Sequence, residues 1–111
     1  MDVSPNVINE EMLRGLLAEG YEIEVICTGS AEKRTNTWYG RWVIRAVLPD
    51  GSSPKALVTS RTQFKQREIK TIVGLVSFLS DMGCKTACIP LEQGATQRHV
   101  VPGRGRPDGS A

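Results

Sequence analysis

Residues 38–48, WYGRWVIRAVL, carry the pattern that most limits how this chain can fold. Successive side chains of a β-strand point to opposite faces of a sheet, so Trp38 and Trp42 share one face with the other even-numbered positions. Arg41 and Arg45 then share the opposite face. The alternation predicts a long strand with both tryptophans in the core and an outward face that carries arginines.

The segments on either side extend this strand into a sheet. The Pro, Asp, Gly and Ser residues of 49–54 predict a turn, and 55–64 is expected to be the returning strand of a hairpin. Residues 21–28 alternate apolar and acidic side chains, which predicts a half-buried strand, and the polar segment 29–37 is expected to be a loop. Residues 85–91 should form a short last strand, whose proline favours an edge position.

Two apolar patterns with helical spacing flank these strands. The first predicts a helix over 9–19, with Asn9 as its N-cap and Gly20 as its C-terminal stop. The second predicts a helix over 67–82 that forms the central packing element. The expected order is α-β-β-β-α-β, which favours an α+β two-layer sandwich with an antiparallel sheet and both helices on one face. The other face of the sheet would be open to solvent or to a partner.

Length and composition indicate one domain followed by a tail. The chain has 111 residues, and its composition shifts to Gly, Pro, Gln and Arg after Glu92. We expect a single domain over 1–93 and a flexible tail over 94–111. The acidic, polar N-terminus is unlike a signal peptide, and no apolar run is long enough for a membrane helix. A cytoplasmic location is therefore expected.

The charges are distributed unevenly, although the formal net charge is only +2. Residues 1–32 contain one arginine against seven Asp and Glu, whereas 33–111 contain thirteen Lys and Arg against five Asp and Glu. An asymmetry of this kind is typical of a chain with a polyanionic partner. Pairing of the two surfaces within one molecule, or across a homodimer, would account for it equally well.

The basic residues of the hairpin and of the second helix form the candidate site. Strand parity places four cations and one aromatic ring on the outward side of the hairpin, with three more cations at the start of the helix. Such a surface would neutralise phosphates, so we expect nucleic acid as the partner. A solvated strand face is the alternative interpretation. The candidate residues are Tyr39, Arg41, Arg45, Lys55, Arg61, Lys65, Arg67 and Lys70.

The tail contains a second candidate contact. Residues 104–107 read Arg-Gly-Arg-Pro, which is identical to the core of the AT-hook and so resembles that motif. The resemblance implies that Arg104 and Arg106 lie along the floor of a narrow A·T minor groove, while Gly105 lets the backbone approach it. A Gly/Arg/Pro-rich tail without function is the alternative.

Two looser resemblances concern the body of the chain. The stretch Trp-Tyr-Gly-Arg-Trp, followed by a hairpin and a helix, is similar to the three-strands-plus-helix DNA-binding modules of the AP2 and integrase-arm type. The α-β-β-β-α order also resembles a double-stranded-RNA-binding domain, in which Lys65, Arg67 and Lys70 would fall where the family contacts phosphate. With the AT-hook-like tail, the first of these resemblances favours DNA over RNA.

Metal binding and catalysis are not expected. Cys27, Cys84, Cys88 and His99 add up to four zinc ligands, but structural zinc sites use closely paired ligands and these are not so spaced. The odd number of cysteines predicts reduced thiols and no disulfide framework. With one histidine, placed in the predicted tail, the chain offers no catalytic constellation, so we expect no enzyme, no cofactor and no small-molecule substrate.

A protein-interaction module is the alternative function. Such a protein would use the open sheet face, or the edge strand predicted at 85–91, to dimerise or to hold a partner. The acidic first helix would then lie against a basic surface of a second copy. The sequence is consistent with this function and with nucleic-acid binding.

Overall fold

The computed structural model describes residues 7–58 and 66–101 and gives an α+β fold, as predicted. The described part contains two helices and a curled sheet. In chain order the elements are β1 (Val7–Ile8), α1 (Glu10–Ala18), β2 (Glu22–Arg34), β3 (Thr37–Val47), β4 (Lys55–Leu57), β5 (Glu68–Thr71), α2 (Ile72–Asp81) and β6 (Thr96–His99). The strands follow the order β1-β4-β3-β2-β6, and β5 also pairs with β3.

The sheet is mixed and not purely antiparallel. β1, an element without a sequence signal, pairs in parallel with β4, while the other pairs are antiparallel. β2 pairs with one edge of β3 along its length. The other edge of β3 is shared, because β5 pairs with its first half and β4 with its second half. Both helices contribute side chains to one core cluster with β2 and β3.

The first helix begins and ends as the sequence predicts. Asn9 is the N-cap, and its side-chain oxygen accepts a hydrogen bond of 2.8 Å from the backbone N–H of Met12. The chain leaves the helix through Gly20, which has a φ of 104° that glycine adopts without strain. Leu13 and Leu17 are buried in the core, whereas Met12 is exposed.

The segment 29–37 is not a loop, contrary to the prediction. β2 runs on to Arg34, which pairs with Thr37 at the start of β3, so the two strands form one long hairpin closed by Thr35 and Asn36. A two-residue connection requires a backbone that matches the twist of the strands, and Thr35 supplies it with a φ of 58°. The polar composition of the segment reflects its exposure and not a lack of structure.

The prediction for the two tryptophans is confirmed for Trp42 and wrong for Trp38. Trp42 is fully buried, whereas Trp38 is 41% exposed and pairs with the exposed Lys33 across the hairpin. On its other edge, β3 shifts register with β5 between Tyr39 and Trp42, where β3 has one residue more than its partner. An irregularity of this kind adds a residue to one strand and interrupts the strict alternation of faces. The burial of Trp42 therefore does not imply the burial of Trp38.

The second helix starts five residues later than predicted. Residues 68–71 form β5, in which only Ile69 of the four is buried, beside its partner Trp42 on β3. Thr71 then caps α2, because its side-chain oxygen accepts a hydrogen bond of 3.0 Å from the N–H of Gly74. Arg67 and Lys70 therefore precede the helix and do not lie in its first turn.

The last strand lies in the predicted tail and not at 85–91. Residues 85–91 form no strand, and β6 instead pairs its residues Thr96–His99 with Ile23–Ile26 of β2. Val101 beyond it is buried in the core cluster. The prediction of a flexible segment is thus wrong for 94–101, and its remainder, 102–111, lies outside the described residues.

Candidate nucleic-acid interface

The predicted site residues that the structure describes do not form one surface. Lys55 is half-buried in β4, Arg67 lies at the first helix, and Tyr39 and Arg41 lie far along the β2–β3 hairpin from Arg45. Four of the predicted residues lie outside the described part of the chain. They are Arg61, Lys65, Arg104 and Arg106.

The hairpin base, residues 22–27 and 42–47, is not the open basic face that strand parity predicts. Val43 and Val47, expected to face outward beside the arginines, are buried. Arg45 pairs with Glu24 directly opposite on β2, and its Nη2 and Nε atoms lie 2.6 and 2.9 Å from the Glu24 carboxylate. The Glu24 side chain is only 13% exposed, so the positive charge of Arg45 is held against an internal acid.

The basic side chain on the neighbouring strand is also paired. Arg98 of β6 lies 3.0 Å from the Glu22 carboxylate and donates a longer hydrogen bond of 3.3 Å to the carbonyl of Pro49. It thereby connects the last strand to the turn that follows β3. Glu22 and Glu24, which belong to the acidic first part of the sequence, thus neutralise the arginines of this face.

Arg67 is likewise used inside the molecule. Its guanidinium contacts the Glu10 carboxylate of α1, and its Cζ atom lies 5.3 Å from the centre of the Phe78 ring on α2. The residue thus links the first helix, the segment before β5 and the second helix. The predicted position of Arg67 at the start of a helix is therefore wrong.

The hairpin end, residues 29–41, has the opposite character. Trp38 and Tyr39 are 41% and 40% exposed. Lys33 lies directly opposite Trp38, and the Cζ atom of Arg34 lies 5.7 Å from the centre of the Tyr39 ring. The sequence pattern does not indicate Lys33, Arg34 or Trp38 as site residues, because it predicts a loop over 29–37 and burial of Trp38.

Two further cations lie close to these rings. Arg41 is exposed on β3, and Lys70 is exposed on β5 beside it, since β5 pairs Ile69 with Trp42 and Thr71 with Tyr39. Within 7–58 and 66–101, neither residue forms an ion pair, and Lys33 forms none either. Arg34 has only a 3.5 Å contact with Glu32, and both side chains are well exposed. Such a pair contributes little in water.

A shallow depression lies on one side of the hairpin end. Its volume is about 170 Å³. Gly40 is required beneath it, because a Cβ atom there would lie 2.7 Å from the Trp42 ring. A Cβ at Gly29 would lie 3.2 Å from Arg41, which is already a tight contact. The lining residues are Gly29, Ser30, Glu32, Arg34, Tyr39, Gly40 and Arg41.

The segment 90–95 holds the root of the hairpin end in place. The Trp42 indole N–H donates to the Pro90 carbonyl at 2.8 Å, and the N–H of Ala31 donates to the Leu91 carbonyl at 2.8 Å. The N–H of Gln93 donates to the Ser30 hydroxyl at 2.9 Å. The hairpin is therefore fixed up to Ala31, and the residues beyond it carry the exposed rings and cations.

The cysteines and the histidine do not form a metal site in the described residues. All three cysteines are free thiols, and no group of three or more His, Cys, Asp and Glu residues in this part of the chain is arranged to hold an ion. His99 is buried at the end of β6, and its Nε2 atom accepts a hydrogen bond of 2.9 Å from the backbone N–H of Cys88. Burial lowers the pKa of His99 below its usual value and raises that of Cys84.

Comparisons with protein families, curated proteins and solved structures find no match to this chain. Neither of the two helices in the described residues is long enough to cross a membrane.

Proposed function

We propose that this protein is a small cytoplasmic nucleic-acid-binding protein, with an accessory or regulatory role, and that the hairpin end is its contact surface. One observation carries the proposal: two exposed aromatic rings lie among cations that, within 7–58 and 66–101, have no ion-pair partner or, for Arg34, only an exposed one, whereas Arg45 of the hairpin base is paired with Glu24. The residues on which the proposal depends are Lys33, Arg34, Trp38, Tyr39, Arg41 and Lys70.

The proposed mechanism combines phosphate neutralisation with ring contacts. Each lysine or arginine that neutralises a phosphate releases a condensed counterion, so binding weakens steeply as salt is added. Exposed aromatic rings offer surfaces on which bases can stack, whatever their sequence. Binding by the hairpin end would therefore depend strongly on salt and only weakly on sequence.

The Arg-Gly-Arg-Pro core of the tail would act as a separate contact. The described chain ends at Val101, and His99 pairs with Ile23 at the end of β2 opposite to Arg34. The last described residues thus lie on the side of the molecule remote from the hairpin turn. Arg104 and Arg106 remain the predicted minor-groove residues, and the resemblance to the AT-hook is the reason to expect DNA over RNA.

A binding measurement on a charge-matched pair of variants tests the proposal. We would replace Lys33 and Arg41 with alanine and compare the result with the double variant of Arg14 and Lys85, which removes two exposed cations elsewhere. Fluorescence anisotropy with a labelled 20-nucleotide probe would be followed from low to moderate salt. The hairpin variant should bind at least about tenfold more weakly at low salt, with a salt slope reduced by about 1.4 to 1.8.

The control variant should bind as the unchanged protein does. Equal losses in both variants would show that only net charge matters and would reject the hairpin end as the site. Absence of binding by the unchanged protein at low salt would reject the proposal itself. Deletion of 102–111 measures the contribution of the tail separately, and a loss confined to A·T-rich duplex would support the minor-groove contact.

A protein-interaction module remains the second candidate, and the exposed face of α2 favours it. Val73 and Val76 are 70% and 43% exposed on a helix whose other side is buried. Exposed aliphatic side chains on one helix are typical of a contact surface, including that of a homodimer. Light scattering on Val73→Ser and Val76→Ser would detect it as a loss of the dimer.

A further inference from the structure

The arrangement of rings at the hairpin end indicates which form of nucleic acid it binds. Lys33 pairs with Trp38 and Glu32 pairs with Tyr39 without a register shift between the two pairs. Neighbouring side chains of a strand point to opposite sides, so Trp38 and Tyr39 lie on opposite sides of the ribbon that β2 and β3 form. Both rings are exposed to a similar extent, so neither ring is buried against the rest of the protein.

Each side of the ribbon combines one ring with a cation. On the first side, Lys33 lies directly across from Trp38, where paired Cβ atoms are about 4.5–5.5 Å apart. An ammonium group at that position reaches the phosphate next to a base stacked on the indole. On the second side, Arg34 covers part of the Tyr39 ring, and Arg41 borders the same depression.

The depression beside Tyr39 has room for about one base. Its volume of about 170 Å³ lies over Gly29 and Gly40 of neighbouring strands, and a Cβ atom at Gly29 would lie 3.2 Å from the Arg41 side chain that lines the depression. Glu32 at its border provides acceptor oxygens for the amino group of a base. A base can enter such a depression only if it is not already stacked and paired in a duplex.

A polymer that uses both rings has to pass around the hairpin turn. A duplex is stiff over distances far greater than this protein, with a persistence length of about 150 base pairs, so it contacts only one side of a narrow ribbon. A single strand bends between successive bases and can place one base on each side. We propose that the hairpin end binds single-stranded nucleic acid in preference to duplex, an inference that rests on the proposed nucleic-acid function.

Anisotropy measurements with matched probes test this inference. A labelled 20-nucleotide single-stranded DNA, the same sequence as single-stranded RNA, and the corresponding DNA duplex would be compared at one salt concentration. The single strands should bind at least about tenfold more tightly than the duplex, because only they can stack on both rings. The DNA and RNA arms show whether the 2′-hydroxyl contributes to binding.

Ring substitutions separate stacking from charge. Trp38→Ala and Tyr39→Ala should each weaken single-strand binding by about five- to a hundredfold, while Trp38→Phe and Tyr39→Phe should retain most of it. Val76→Ala is the control, since it removes exposed apolar surface on α2. Single-strand binding should also quench the emission of the exposed Trp38, and this quenching should be absent in Trp38→Phe because the other tryptophan, Trp42, is buried.

The outcomes distinguish the two proposals. Duplex binding as tight as single-strand binding would overturn the single-strand preference and leave the nucleic-acid function standing. Alanine variants that bind single strands as well as the unchanged protein would overturn the role of the rings. Absence of binding to all three probes at low salt would overturn the nucleic-acid function together with this inference.

Discussion

The hairpin base and the hairpin end belong to the same two strands, yet they differ in almost every physical property. In the base, Trp42 is fully buried and Arg45 is paired with Glu24. In the end, Trp38 and Arg41 are exposed, and Arg41 has no ion-pair partner in the described part of the chain. Residue type alone does not separate a structural tryptophan or arginine from a functional one; the neighbours across the strand and above the sheet do.

The largest expected difference between the two regions concerns the tryptophans. Trp42→Ala should lower the free energy of unfolding by about 3–5 kcal/mol, because it leaves a cavity in the core and removes the partner of the Pro90 carbonyl. Trp38→Ala should lower it by less than about 0.5 kcal/mol, as is usual for surface positions. Urea denaturation of both variants measures the difference. Equal losses would show that Trp38 belongs to the core.

The second difference concerns the acidic partners. Glu24→Gln should cost roughly 1–3 kcal/mol, because it leaves the partly buried Arg45 without its charged acceptor. Glu32→Gln in the hairpin end should change stability by only a few tenths of a kcal/mol, since its contact with Arg34 is exposed. Thermal and urea unfolding of the two variants provide the comparison. A neutral Glu24→Gln would mean that Arg45 is well solvated, and would reopen the hairpin base as a binding surface.

A third difference is sensitivity to acid. His99 pairs with Ile23 at the hairpin base, and burial lowers its pKa in the folded protein below the usual value near 6.5. The unfolded chain then takes up the proton first, so stability is complete above about pH 6.5 and decreases below it, by at most about 1.4 kcal/mol per pH unit. Urea midpoints between pH 7.5 and 5.5 measure this. His99→Asn should flatten the profile, and an unchanged slope would assign the effect to other groups.

The smallest expected effect is at the turn of the hairpin end. Thr35 has a φ of 58°, which costs a branched side chain energy that glycine does not pay. Thr35→Gly should stabilise the protein by up to about 1 kcal/mol, because the greater freedom of glycine in the unfolded chain offsets part of the gain. Asn36→Gly is the matched control and should be neutral or destabilising, since Asn36 has no positive φ. The reverse order in thermal unfolding would contradict this turn geometry.

Several local features followed from the amino-acid sequence alone. The N-cap at Asn9, the helix ending before Gly20 and the burial of Trp42 depend on short-range patterns, and the structure confirms them. The α+β class followed from the alternation of strand and helix periods along the chain. These properties depend on residues close in sequence, so a periodic pattern in the sequence is enough to predict them.

The tertiary structure decided the features on which the candidate site depends. β6 is a strand because the edge of β2 provides hydrogen-bond partners for its backbone. Its residues Thr96–Arg98 show no apolar alternation from which a strand could be predicted. The register shift of β3 against β5, between Tyr39 and Trp42, coincides with the point where burial ends along β3. Arg45 is neutralised because Glu24 lies opposite it, 21 residues away in sequence. Pairing partners far apart in the chain, and not the identity of each residue, determine which cations and rings remain exposed.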